Sequence, residues 1–100
     1  MTEYGSTGAH VSFLARAAGA RVVRIELDPG GCLAMHPAGN PQLFVVVDGD
    51  GTVATADTPP EAVAAGTVVW WGAGERHETR SERGLVALVV EADGLEPVLS

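Results

Sequence analysis

Residues 41–53 read P-Q-L-F-V-V-V-D-G-D-G-T-V, and this stretch decides the fold. Its centre, Leu43 to Val47, is an unbroken apolar run. The run is too short and too β-branched for a helix and reads as a buried strand. Asp48-Gly49-Asp50-Gly51 follows. Asp-Gly supplies the positive φ values of a tight primed turn, so a hairpin is expected here, returning through Thr52 to Ala56. Gln42 is the one polar side chain at the mouth of the strand. By the two-residue repeat of a strand, Gln42, Phe44 and Val46 share a face.

The same grammar extends in both directions. Towards the N-terminus, Val23, Ile25 and Leu27 alternate with Arg24 and Glu26, the pattern of a half-buried strand. Asp28-Pro29-Gly30-Gly31 is expected to end it in a turn. Cys32 to His36 is expected to be a short extended segment. Val11 to Arg16 reads as a first strand, Ala15 to Ala20 as a connection, and residues 1–9 as a loose lead-in. Towards the C-terminus, Glu61 to Val63, Thr67 to Trp71, His77 to Arg80 and Leu85 to Glu91 read as strands, and residues 92–100 as a tail. Gly72-Ala73-Gly74 and Ser81-Glu82-Arg83-Gly84 separate the last three. About eight short strands without a helical period predict an all-β sandwich or barrel.

The chain has 100 residues, enough for one domain with a core at about residues 10–91. It is 46% hydrophobic and 19% charged, as a folded globule is, and its 5% aromatic share leaves most of the core to Val, Ala and Leu. The formal charge of −7 argues against nucleic acid or an anionic membrane as partner. One cysteine, Cys32, makes no internal disulfide, and neither a signal peptide nor a membrane span is visible, so a cytoplasmic protein is expected. Small all-β domains have edges to protect, and a homodimer is the expected remedy. Asp48 to Gly51 is no calcium loop, because it lacks the twelve-residue frame and the bidentate Glu. No serine sits on a nucleophile elbow.

Two spaced patterns carry the chemistry. Gly30 is followed after five residues by His36, then after one by Ala38, after three by Gln42 and after six by Gly49. Gly66 is followed after five residues by Gly72, then after one by Gly74, after two by His77 and after three by Ser81. Together these resemble the two motifs of the cupins, over about residues 20–91. The resemblance implies a double-stranded β-helix, a jelly-roll barrel of two antiparallel sheets. In cupins two histidines and a Glu of the first motif and the His of the second point inward and bind a divalent metal. Here His36 and His77 match two of the histidines. Ala38 stands in place of the other His and Gln42 in place of the Glu. In carrying Gln there the chain is similar to the manganese-dependent hydroxynitrile lyases. Gly72 and Ser81 replace a Pro and an Asn whose roles concern turn geometry.

The resemblance thus implies a reduced metal site of His36, Gln42 and His77, for Zn, Mn, Fe or Ni. An amide oxygen cancels no charge on the ion, so the metal would be weakly held, and a metal-free pocket is the standing alternative. The pocket wall is expected to hold Cys32, Ala38, Phe44, Val46 and Trp70. Trp70 and Trp71 must face opposite sides. Cys32 reads as a small structural hydrophobe, or as a thiolate ligand in place of the missing His. His10 reads as an ordinary edge residue, and Glu75, Arg76 and Glu78 as solvated loop charges, with Arg76 or Arg24 as a cation for an acidic ligand at the mouth the alternative. Three functions follow: a metal-assisted enzyme on a small polar organic molecule, of lyase, isomerase or dioxygenase type; a metal-free enzyme with a histidine base; or a non-catalytic small-molecule binder or sensor.

Overall fold

Two of the stretches that read as turns are corners inside long strands. The computed structural model describes residues 6–98. Its strands are β1 (Thr7–Ala17), β2 (Ala20–Pro37), β3 (Gln42–Thr55), β4 (Glu61–Ala64), β5 (Val68–Trp71), β6 (Arg76–Arg80) and β7 (Leu85–Ala92). The expected hairpin at Asp48–Gly51 does not form. β3 runs straight through these residues, with a register shift against β7 between Val46 and Asp48. Gly49 has φ +77, and a Cβ there would lie 2.2 Å from the Gly84 carbonyl oxygen. The positive φ that suits a hairpin turn suits a bulge equally well, and here it bends one strand across another backbone. Asp28-Pro29-Gly30 likewise bends β2 without ending it. Its three residues are exposed, so the donor that Pro29 lacks is not missed in the barrel.

The corners let each long strand serve both sheets. The first half of β2 pairs with β7 and the second half with β6. The first half of β3 pairs with β7 and β5, the second half with β6 and β4. All these pairings are antiparallel, so β2, β7, β3 and β6 close a ring in that order. This is the all-β barrel expected from the strand pattern. β1 flanks β2 as an edge strand.

β1 is longer than the sequence suggests. It starts at Thr7, inside the expected lead-in, and Ala15–Ala17 continue it against β2 up to a tight turn at Ala18-Gly19. Ser6 is buried, and its Oγ accepts the Ala34 N–H at 2.9 Å. The rest of the expected lead-in, residues 1–5, lies outside the described residues, as do 99 and 100 of the tail.

The core fills the ring. Val23, Ile25 and Leu27 of β2, Phe44 and Val46 of β3, and Leu85, Ala87 and Val89 of β7 form one buried cluster. Each set obeys the two-residue alternation read from the sequence. Ser81 pins the β6–β7 turn from inside: its Oγ donates to Asp50 O at 2.6 Å and accepts the Gly84 N–H at 2.8 Å. No helix among the described residues is long and apolar enough to cross a membrane.

Candidate functional site

One end of the ring opens into a cavity of about 690 Å³. Its apolar wall includes Val23, Ile25, Leu33, Phe44 and Val89, and its polar side chains are His10, Arg21, His36, Gln42, His77 and Glu91. His36 of β2 and His77 of β6 are direct cross-strand partners. Their rings meet edge to face with centroids 4.4 Å apart. Trp71 stacks on the other side of His77, 3.8 Å between centroids and 7° between planes, and Phe44 leans on Trp71 at 5.0 Å.

Each histidine is held by the backbone two residues before it. His36 Nδ1 lies 2.8 Å from Ala34 O, and His77 Nδ1 lies 3.1 Å from Glu75 O. A carbonyl only accepts, so each Nδ1 carries the proton in the neutral ring and Nε2 carries the lone pair. His77 is 2% exposed. Burial, then the neighbouring His36, push its pKa from 6.5 down to about 4, against the smaller upward pull of the Glu75 carbonyl. His77 is therefore neutral at pH 7 and presents an acceptor.

The second cluster was not foreseen. Gln42, Glu91 and Arg21 are cross-strand neighbours on β3, β7 and β2. Gln42 Nε2 donates to Glu91 Oε2 at 2.7 Å, and Arg21 Nε donates to Glu91 Oε1. Glu91 is 6% exposed, and its charge is met by Arg21, whose guanidinium also lies over the Phe13 ring at 5.1 Å. The sequence held one signal for this: Glu91 continues the inward face of Leu85, Ala87 and Val89, an acid where an apolar residue belongs. Neither Arg24 nor Arg76 lies on the cavity wall, and Arg76 is the exposed, solvated charge expected from the sequence. Arg24 pairs with Glu26 at 3.5 Å.

Several expected wall residues lie elsewhere. Trp71, not Trp70, lines the cavity, because β5 runs antiparallel to β3 and sets Trp71 opposite Gln42. Cys32, Ala38 and Val46 are buried, but in the core and off the cavity wall. Phe44 is on the wall. Cys32 pairs with Arg80 in register and offers no thiolate to the cavity. His10 lines the rim and bonds Asp28 through Nε2 at 2.9 Å.

The donor set does not fit a resident divalent ion. Among the described residues no group of three or more His, Cys, Asp or Glu surrounds a common point. Two neutral imidazoles and one amide oxygen leave an M²⁺ charge uncompensated in a partly dry cavity.

No family model matches the sequence, and no curated protein matches it. Solved structures do. A cupin-like protein from Thermotoga maritima superposes with a TM-score of 0.81 at 21% identity, over 92% of this chain and 75% of that one. The chain has the cupin fold. An RmlC-like cupin from Shewanella frigidimarina gives a TM-score of 0.78 at 20% identity, over 89% and 79%. A predicted oxalate decarboxylase from Thermotoga maritima gives 0.79 at 23%, over 88% and 84%. In this cupin barrel His36 and His77 face each other across β2 and β6, and the position of the motif's carboxylate holds Gln42, with the buried carboxylate of Glu91 one strand away.

Proposed function

We propose that this cupin barrel binds a small, partly polar organic molecule in the cavity at His36, His77 and Gln42, without a resident metal. The observation that carries the reading is a concave site of drug-like volume whose few polar groups converge among apolar walls. One neighbour is described as a predicted oxalate decarboxylase, but at 23% identity we carry over its fold and not its chemistry. Any Zn, Mn, Fe or Ni that enters is a weak guest of the histidine pair.

The low basicity of His77 counts against that ring as a general base. A general base works best with a pKa near the working pH, and His77 at about 4 is a poor proton acceptor at neutrality. It serves better as a fixed hydrogen-bond acceptor.

The test uses the two tryptophans. Trp71 is on the cavity wall and Trp70 is not. A fragment library screened by tryptophan fluorescence and by amide NMR should give hits that perturb Phe44, Trp71, His77 and Val89. Trp71→Phe should abolish the fluorescence response and Trp70→Phe should keep it. Hits confined to the groove around Gly30, Thr52 and Arg83 would overturn the proposal.

A further inference from the structure

We infer that Glu91 sets what the cavity selects: by fixing the Gln42 amide it makes the inner wall accept hydrogen bonds, so the ligand presents hydroxyl or N–H groups there. The inference rests on the cavity being the ligand site.

A carboxamide is a two-ended group, donor on one arm and acceptor on the other, and either arm can face a pocket. Here the choice is made by chemistry. A carboxylate only accepts, so Glu91 Oε2 at 2.7 Å takes the NH₂ arm of Gln42. The reversed amide would set oxygen against oxygen. Glu91 itself is held on its other oxygen by Arg21, so it cannot swing away to release the amide without breaking an ion pair. The carbonyl arm of Gln42 is left for the cavity. Gln42 lines the cavity, and its hydrogen bond to Glu91 uses only the NH₂ arm.

The same holds for His77. Its Nδ1–H is spent on Glu75 O, which leaves the Nε2 lone pair as the acceptor of a ring that lines the cavity. Two acceptors of different origin thus line the cavity. One Gln42 N–H and the Arg21 Nε–H are spent on Glu91, and the rest of the Arg21 guanidinium lies over the Phe13 ring at the β1–β2 side of the cavity. A ligand hydroxyl or N–H finds partners at the two acceptors. A ketone, ether or ester oxygen set against Gln42 Oε1 or His77 Nε2 meets a lone pair and loses its hydration there without replacement. Glu91 is in this sense a positioning residue: it acts on the ligand through Gln42.

The experiment uses matched fragments on the full chain: cyclohexanol with cyclohexanone, benzyl alcohol with benzyl methyl ether, N-methylbenzamide with N,N-dimethylbenzamide. Affinities are read by NMR shifts at the cavity wall. The donor member of each pair should bind about tenfold or more tightly. In Glu91→Gln, where neither amide is fixed, the ratio should fall to about twofold. Gln42→Leu should weaken the donor member of each pair more than its counterpart and so reduce the ratio to what His77 Nε2 alone supplies. Equal affinities within the pairs on the unaltered protein, or a ratio that survives Glu91→Gln, overturn the inference and leave the cavity reading standing. Failure of every fragment to move the wall resonances overturns both. One measurement needs no variant: a Gln42 side-chain amide proton should be shifted downfield by its carboxylate partner, and two unshifted amide protons refute the inference.

Discussion

Acidification turns the burial of His77 into a measurable loss of stability. The unfolded chain takes up the histidine proton near pH 6.5, whereas the folded protein resists until about 4, chiefly because the charge would be desolvated and then because His36 is adjacent. The contribution of the neutral ring is therefore complete above about pH 6.5. It is lost as the pH falls towards 4 and levels off below that. A gap of about 2.5 pH units at about 1.36 kcal/mol each comes to about 3 kcal/mol, with about 2 kcal/mol already gone at pH 5. For a domain of this size 1 kcal/mol corresponds to about 4–8 °C, so the melting temperature should drop by about 10 °C between pH 7 and pH 5 from this group alone. Urea midpoints at half-unit pH steps would be compared with those of His77→Phe. That variant keeps an aromatic ring against Trp71 and cannot take a proton, so the carboxylate background cancels in the difference. Parallel pH profiles for the two proteins would refute the reasoning. So would an NMR titration in which His77 protonates near 6.5.

Other perturbations test other parts of the barrel. Thr79→Val removes a buried hydroxyl that has no partner among the described residues and keeps the shape, so urea unfolding should show a gain of about 1 kcal/mol. Gly49→Ala should cost about 3 kcal/mol or more, because its Cβ meets the Gly84 oxygen at 2.2 Å. Gly66→Ala, also at positive φ but in open space, should cost only about 1–2 kcal/mol by the same assay. Dialysis against EDTA should leave no stoichiometric metal by elemental analysis and shift the melting temperature by less than about 1 °C. A retained equivalent of metal would show that the donor set is stronger than two imidazoles and an amide.

The sequence made the strands and the histidine pair legible, because both are coded by spacing. His36 and His77 stand at fixed distances from glycines, and such distances survive folding. The corners were misread for a physical reason. Asp48-Gly49 and Pro29-Gly30 ask for the same backbone angles in a bulge as in a hairpin, and only the partner strands decide between them. The wall tryptophan could not be settled by alternation alone, because Trp70 and Trp71 are equivalent until β5 is placed in register with β3. Glu91 was passed over because it closes an apolar run, where a polar residue reads as a strand end. Its meaning depends on Arg21, 70 residues away in sequence. Cys32 and Ala38 are near His36 in sequence and Val46 shares the alternating face of Gln42, which points all three to the wall, yet the barrel buries them in its core.

The closed ring also dictates an order of events during synthesis. Among the described residues β2 and β3 are joined in the ring through β6 and β7, and β7 spans Leu85–Ala92, downstream of every other strand described. Residues 20–27 can pair with β1 at once, but their other edge waits for β7, more than fifty positions downstream. Until β7 leaves the ribosome, the apolar faces of β2 and β3 have no lid between them. Folding dominated by such distant pairings is slow, in the range of milliseconds to seconds. The half-made barrel therefore exposes Val23, Ile25 and Phe44 for the whole of its translation, and the last strand acts as the keystone that ends that exposure.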